Sequence, residues 1–432
     1  MVRKAAASAL LALVICGSSW SRAYAQPEAC TGPSTRDNVV ACALRASPAV
    51  YADQKGLESV EGRRTAASLL FPSNPTLAIT AGQRASQRDG DGVDLGATLF
   101  QELEIGGQRG ARLDVVGAEG DAHRARLRAT RREVAATALT AYFDALAAVE
   151  ERRVALRLGA LSAALTRLAG ARLEMGLGSE IEAEIASAAG TRLAQAQFAA
   201  DRRVDATSAL LTTLLGLDPT HGRVVAEGNL EPLAEVAGSA PDLDGLVRSA
   251  LAQRADIAIA QAEQHQHARR AELFRRSRIP NLTLSLFAQN ERFNERVLGG
   301  GIAIPIPLPA PVGHTYAGET AEAEALAQRS GFEVERLRRA VRLEVVVAFE
   351  NVSSRRRELA LFSAERLRRA EDALTAIALE LEARRLSVRD ALVTQQGLVE
   401  LLLGHVEARR LLCLASVELA RVAALPLERG QS

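Results

Sequence analysis

Apolar residues recur at alternating three- and four-residue steps in two stretches, Val154, Leu158, Leu161, Leu165, Leu168 and Leu367, Ala370, Leu374, Ile377, Leu381. That spacing is a heptad seam and predicts helices packed as coiled coils. Neither Thr76–Asp218 nor Val312–Leu425 contains a proline, so both can hold very long helices. A continuous helix from about Gln108 to Leu173 would extend ~100 Å at 1.5 Å per residue. A compact globule cannot contain such a rod.

Strict period-two alternation precedes each rod and predicts strands. Leu77, Ile79 and Ala81 alternate with Thr76, Ala78, Thr80 and Gly82, and Val93, Leu95, Ala97 and Leu99 with Asp94, Gly96, Thr98 and Phe100. In the second copy Leu282, Leu284, Leu286 and Ala288 alternate with Asn281, Thr283, Ser285 and Gln289, followed by Ile302, Ile304, Ile306 and Leu308 against Gly301, Ala303, Pro305 and Pro307. Polar loops, Arg84–Gly92 and Asn290–Arg296, separate the strands of each pair. The reading is two hairpins, each with one aliphatic face and one polar or small face.

The halves repeat with an offset of roughly 205 residues. Asn74-Pro75-Thr76-Leu77 matches Ile279-Pro280-Asn281-Leu282, and Leu217 follows Ser179 at the same separation, 38 positions, as Leu425 follows Ser387. The expected fold is therefore mainly α with a small β part, built from duplicated long helical hairpins. The first repeat spans 26–217, with strands at about 75–83 and 93–104, a long helix at about 108–173 and a return helix at about 179–216. A Gly-, Pro- and Asp-containing connector follows over 218–245. The second repeat spans 246–425, with strands at about 281–289 and 297–308, a long helix at about 314–384 and a return helix at about 388–424. A short tail, 426–432, remains.

Composition narrows the classes. The 432 residues are 48% hydrophobic but only 3% aromatic, and 53 Lys and Arg nearly balance 52 Asp and Glu. Disorder and a strongly basic nucleic-acid binder are both excluded. Arg3 and Lys4, the apolar run Ala5–Cys16 and Ala23-Tyr24-Ala25 read as a secretory signal peptide over 1–25. Ile15 before Cys16 does not fit a lipidation site. Past it, no run approaches the ~20 apolar residues of a membrane helix, so any membrane contact falls to strands. Cys30 and Cys42 are either a disulfide pair or two buried thiols. Cys413 reads as a small core residue.

Strands of about ten residues with one apolar face suit the hydrocarbon band of an outer-membrane barrel, and four strands cannot close one, so several copies must pool theirs. The alternative is a soluble sheet packed on helices. Interfacial aromatics give little help, since only Phe71, Phe100, Phe287 and Phe293 lie near the strands.

The order of elements, the duplication, and the segments Gln101-Glu102-Leu103-Glu104-Ile105-Gly106-Gly107-Gln108-Arg109 and Ile304-Pro305-Ile306-Pro307-Leu308 resemble the outer-membrane efflux protein (TolC) family, most of all its cobalt-zinc-cadmium branch. The resemblance implies a homotrimer with a shared twelve-stranded barrel, a trimeric α-barrel through the periplasm, and contact with outer-membrane lipid. It also implies docking to a periplasmic adaptor (membrane fusion) protein fed by an inner-membrane pump of the resistance-nodulation-division type. A passive duct for heavy-metal cations is the expected function. A duct for drugs or other small molecules and a soluble periplasmic coiled-coil scaffold or adaptor are the alternatives.

The rods reverse at Glu174–Ser179 and Arg384–Val388. Ser179 with Glu182, and Ser387 with Asp390, fit helix N-caps with an acidic partner three residues on. The resemblance adds that Gly176, Leu177, Gly178 and Ser179, with Arg385, Leu386 and Ser387, are adaptor-docking tips. Glu180, Glu182 and Glu184 against Arg385 and Arg389 are candidate gate charges; a solvated surface is the plainer reading. The six histidines are scattered, and His265 and His267 sit two apart in a helical pattern, so no chelate forms. No nucleophile elbow, phosphate loop or dinucleotide fingerprint stands out. No enzyme activity, cofactor, resident metal or nucleic acid is expected.

Overall fold

The computed structural model describes residues 30, 32–84, 92–237, 242–290, 296–309, 311–383 and 385–427. The signal peptide expected over 1–25, Phe293 and Arg384 lie outside the described residues. Helices α1 (Arg36–Ala46) and α2 (Pro48–Ala67) lead to strands β1 (Thr76–Arg84) and β2 (Gly92–Leu103), then to the rod α3 (Gln108–Glu174) and its return α4 (Glu180–Leu214). After α5 (Ala234–Ala237) the pattern repeats: α6 (Leu243–Gln253), α7 (Ala255–Ser277), β3 (Leu282–Asn290), β4 (Arg296–Ala303), α8 (Ala317–Leu359), α9 (Ala364–Glu382) and α10 (Val388–Val422).

The 67 residues of α3 form one helix, about 100 Å long at 1.5 Å per residue. Its far third packs by the expected seam. Leu158 and Leu165 join Ala186 of α4, Leu374 and Ile377 of α9 and Ala391 of α10 in one core, with Val154, Leu161 and Leu168 partly buried against it. A second and larger core lies at mid-length, where Leu139, Tyr142 and Phe143 of α3 meet Val39 of α1, Leu233 and Val236 of the connector, Val341 and Val345 of α8, and Leu419 of α10. Alanines fill the closest contacts: Ala138, Ala147 and Ala148 are fully buried.

Polar groups close this waist. The Tyr142 hydroxyl donates to the Glu227 carbonyl (2.8 Å), and the Leu233 amide donates to Ser416 Oγ (3.0 Å). Arg132 caps the end of α10, donating to the carbonyls of Ala420 (3.2 Å), Ala424 (3.1 Å) and Leu425 (2.8 Å). Cys30 and Cys42 form a disulfide, which ties the N-terminal segment to α1, while Ser34 bridges to Ala226 of the connector. Cys413 is buried and free, and burial pushes its thiol up to about 12.

Three expectations need correction. The second rod is not continuous over 314–384: it breaks between α8 and α9. There Ser363 Oγ accepts from the Arg366 amide (3.2 Å) and the Phe362 ring packs on His405, with centroids 5.7 Å apart. A cap and a partly buried ring compensate the lost helical bonds. The fourth strand ends at Ala303, not 308, because Pro305 and Pro307 have no N–H to extend the ladder. One described helix, α3, does contain a stretch long and apolar enough by composition to cross a membrane, although its seam residues Leu158 and Leu165 pack against protein.

Candidate functional site

The four strands form one antiparallel sheet in the order β1-β2-β3-β4, so the two hairpins pair through β2 and β3. The register aligns the alternation across all three ladders. One row runs Leu77, Leu99, Leu286, Gly300 and the next Ile79, Ala97, Ala288, Leu298. On the opposite face the rows are Thr76, Phe100, Ser285, Gly301 and Ala78, Thr98, Phe287, Gly299. Within the single chain the aliphatic face is uncovered: Ile79 is 74% exposed, Leu286 66% and Leu298 82%. An apolar face this continuous marks contact with another apolar phase. The outer edges of β1 and β4 pair with nothing among the described residues, an arrangement that invites further strand pairing. The opposite face is close-packed at one point, where the Phe287 ring lies over Gly299; an added Cβ there would sit 2.3 Å from the ring.

The segment Gln101–Arg109 forms the junction between sheet and rods. Gly107 has a left-handed backbone (φ 74°) and starts α3; an added Cβ would meet Arg276 at 2.7 Å, and one on Gly106 would meet Ile279 at 2.8 Å. The two glycines thus let the first repeat turn directly against the second. Buried Gln108 locks the contact. Its Nε2 donates to the Ile279 carbonyl (2.9 Å) and Asn281 Oδ1 (3.2 Å), and its Oε1 accepts from the Gly106 amide (2.8 Å). Asn281 Nδ2 donates to Glu102 (2.8 Å), Glu104 pairs with Arg112, and Arg109 Nε donates to the Ser68 carbonyl (2.8 Å). Of these residues Glu102, Glu104, Gln108, Arg112, Ile279 and Asn281 line a cleft of ≈ 540 Å³.

At the opposite end, both tips have the geometry of tight capped turns. Gly176 is left-handed (φ 68°), the Leu177 amide donates to the Arg172 carbonyl (2.8 Å), and the Ser179–Glu182 capping box is complete. In the second tip Ser387 Oγ accepts from the Asp390 amide (3.0 Å). Leu177 is exposed, and so are Ile181 and Ile185 on the first turns of α4. Those two isoleucines were missed in the sequence; two apolar residues four apart, facing away from the heptad seam, were the available signal. The candidate gate charges do not meet within one chain. Glu182 serves the Ser179 cap, Arg385 lies 3.6 Å from Glu380 of its own hairpin, and among the described residues no ion pair joins Glu180, Glu182 or Glu184 to Arg385 or Arg389. The described residues contain no group of three or more potential metal ligands.

No family model matches the sequence. The chain is 25% identical over 289 residues to the cobalt-zinc-cadmium resistance protein CzcC of Cupriavidus metallidurans. That match spans 65% of each chain, so under two thirds of the relative's length is covered. Among solved structures, the outer-membrane channel OprN matches with a TM-score of 0.75 at 17% identity, covering 91% of this chain and 90% of OprN. VceC of Vibrio cholerae, an outer membrane protein, matches at 0.71 and 17% identity (91% and 97%), and CusC, described for transmembrane channel formation, at 0.72 and 12% (90% and 91%). With the uncovered sheet, the capped rods and the duplication, these matches place the chain in the fold of the TolC-type outer-membrane efflux channels, and its sequence resembles their cobalt-zinc-cadmium branch.

Proposed function

We infer that the chain is one protomer of a passive exit duct in the outer membrane, with its helices extending into the periplasm. The observation that carries this reading is the sheet, whose aliphatic face is bare and whose two edges are open. Lipid satisfies the first, and β1 of one copy pairing with β4 of the next satisfies the second. Three copies supply twelve strands, enough to close a barrel, and their helical hairpins continue it as a tube.

The tips around Gly176–Ser179 and Arg385–Ser387 dock a periplasmic adaptor served by an inner-membrane pump of the resistance-nodulation-division type. Glu180, Glu182, Glu184, Arg385 and Arg389, unpaired with one another within the chain, pair between hairpins of neighbouring copies to hold the mouth shut. Similarity to CzcC favours heavy-metal cations as cargo. A duct binds its cargo only in passing, so it requires no resident metal site and no catalytic group.

Membrane fractionation with a gel-mobility shift on heating tests the barrel. A heat-sensitive oligomer in the outer-membrane fraction is expected; a soluble chain that migrates identically before and after heating overturns the reading in favour of a periplasmic scaffold. A deletion strain is expected to gain sensitivity to zinc, cobalt or cadmium, with copper, silver and a drug panel alongside. Sensitivity to drugs alone reassigns the cargo. For the gate, Arg385→Ser plus Arg389→Ser is expected to raise single-channel conductance, and unchanged conductance rejects those charges.

A further inference from the structure

A cavity of ≈ 590 Å³ opens at the waist, remote from both the sheet and the tips; its charged side chains are all arginines, and Gln253 adds a neutral amide. Arg128, Arg131 and Arg132 of α3 line it, with spacings that place them on one helix face. Arg132 is committed to the end of α10. Arg128 and Arg131 are exposed, and neither has a hydrogen bond or ion pair among the described residues.

The nearby acids are already used. Glu133 faces Arg421 (3.6 Å), while Asp256 and Glu344 both pair with Arg254. Burial first, and then the guanidinium groups of Arg254 and Arg421, hold Arg132 below the ordinary arginine range. The start of α7 borders it: Ala255 and Ala258 line the cavity, and the carboxylate of that first turn, Asp256, is engaged by Arg254 and by the Ile257 amide. Alanine and leucine side chains, Ala135, Ala252 and Leu427, supply an apolar floor.

We propose that this cavity is a binding site for clustered carboxylates, held by Arg128 and Arg131 over the first turn of α7. Two free guanidinium forks match carboxylate geometry in a bidentate manner. The volume exceeds what one small oxyanion fills, and the apolar floor suits a carbon skeleton bearing several acids. The ligand is therefore a polycarboxylate, either free or carried on an acidic peptide chain.

The test uses the full mature chain in detergent at low salt, with fluorescein-labelled hexaglutamate followed by anisotropy and citrate as competitor. Saturable binding that weakens with added salt is expected. Arg128→Gln plus Arg131→Gln should weaken it at least tenfold, while Arg336→Gln plus Arg338→Gln on α8, two exposed arginines already paired with glutamates, should leave it unchanged. Because Arg128 and Arg131 make no internal bonds and Arg132 is kept, the double variant should retain its thermal midpoint and helical circular dichroism. Displacement of the peptide by citrate identifies a free polycarboxylate as the source; binding that citrate does not displace identifies a chain-borne one. Absence of saturable binding, or equal affinity in the Arg128 and Arg131 variant, overturns the proposal.

Discussion

At the scale of single residues, the junction shows how much can rest on one amide. Gln108 is 4% exposed and satisfies three groups contributed by both repeats. Gln108→Leu keeps its bulk but strands the Gly106 amide and the Ile279 carbonyl. A buried polar group left unpaired costs about 1–3 kcal/mol, so the variant should lower the urea midpoint at an unchanged slope, whereas an exposed substitution such as Arg336→Gln should not. His405 gives a pH signature. Burial, assisted by Arg409, holds its imidazole below the ordinary histidine range, against a smaller opposing pull from Glu150. The folded pKa thus lies beneath the unfolded value of about 6.5, and the folded state favours the neutral ring. This contribution to stability is fully present above pH ~6.5 and is lost as pH falls through the folded pKa. His405→Gln removes the titration, so the drop in thermal midpoint between pH 7.5 and pH 5 should be smaller in the variant than in the parent; an equal drop rejects the assignment.

At the scale of elements, the rods depend on their seams. Leu165 is 1% exposed in the core shared by α3, α4, α9 and α10. Leu165→Ala removes buried volume that rigid helices refill poorly, a loss of about 2–5 kcal/mol. Protease cleavage near the tips should accelerate while the waist core stays protected. The seam was legible because heptad spacing survives in the sequence without any tertiary context: Val154, Leu158, Leu161, Leu165 and Leu168 all pack where their periodicity puts them. The sheet rows were legible for the same reason, since a period of two leaves no freedom about which face is apolar. The break at Ala360–Ser363 was not legible. It depends on Phe362 meeting Gly404 and His405 of α10, a contact 42 residues away in sequence that no local pattern announces. The junction was half legible: the segment Gln101–Arg109 stood out by resemblance, but the partners of Gln108 lie 171 and 173 residues away. The waist arginines were invisible for a different reason. In an arginine-rich chain, one guanidinium without a partner looks like any other until every neighbouring acid has been accounted for.

At the scale of the whole molecule, the helices and the strands pose unequal demands. The rods bury their heptad seams within one chain and leave other apolar residues, such as Phe198, Phe332, Leu343 and Leu379, exposed along their flanks. The sheet buries no face: Leu77, Ile79, Leu286, Leu298 and Ile302 are all more than half exposed, and both edges are open. Only the sheet end combines a bare aliphatic face with unpaired strand edges, and that end dictates where the chain resides. This asymmetry separates folding from insertion experimentally. Leu286→Arg places a charge on the aliphatic face, where it costs about 2–4 kcal/mol at mid-bilayer but nothing in an isolated chain, whose Leu286 already meets solvent. Gln289→Arg puts the same charge on the opposite face of the same strand, next to Gly96 and Val297. If the aliphatic face meets lipid, the first variant should lose the heat-modifiable species and leave the membrane fraction while keeping its helical content, and the second should keep both. Equal behaviour of the two variants would mean that the sheet packs against protein on both faces and that the membrane assignment fails, whatever the helices resemble.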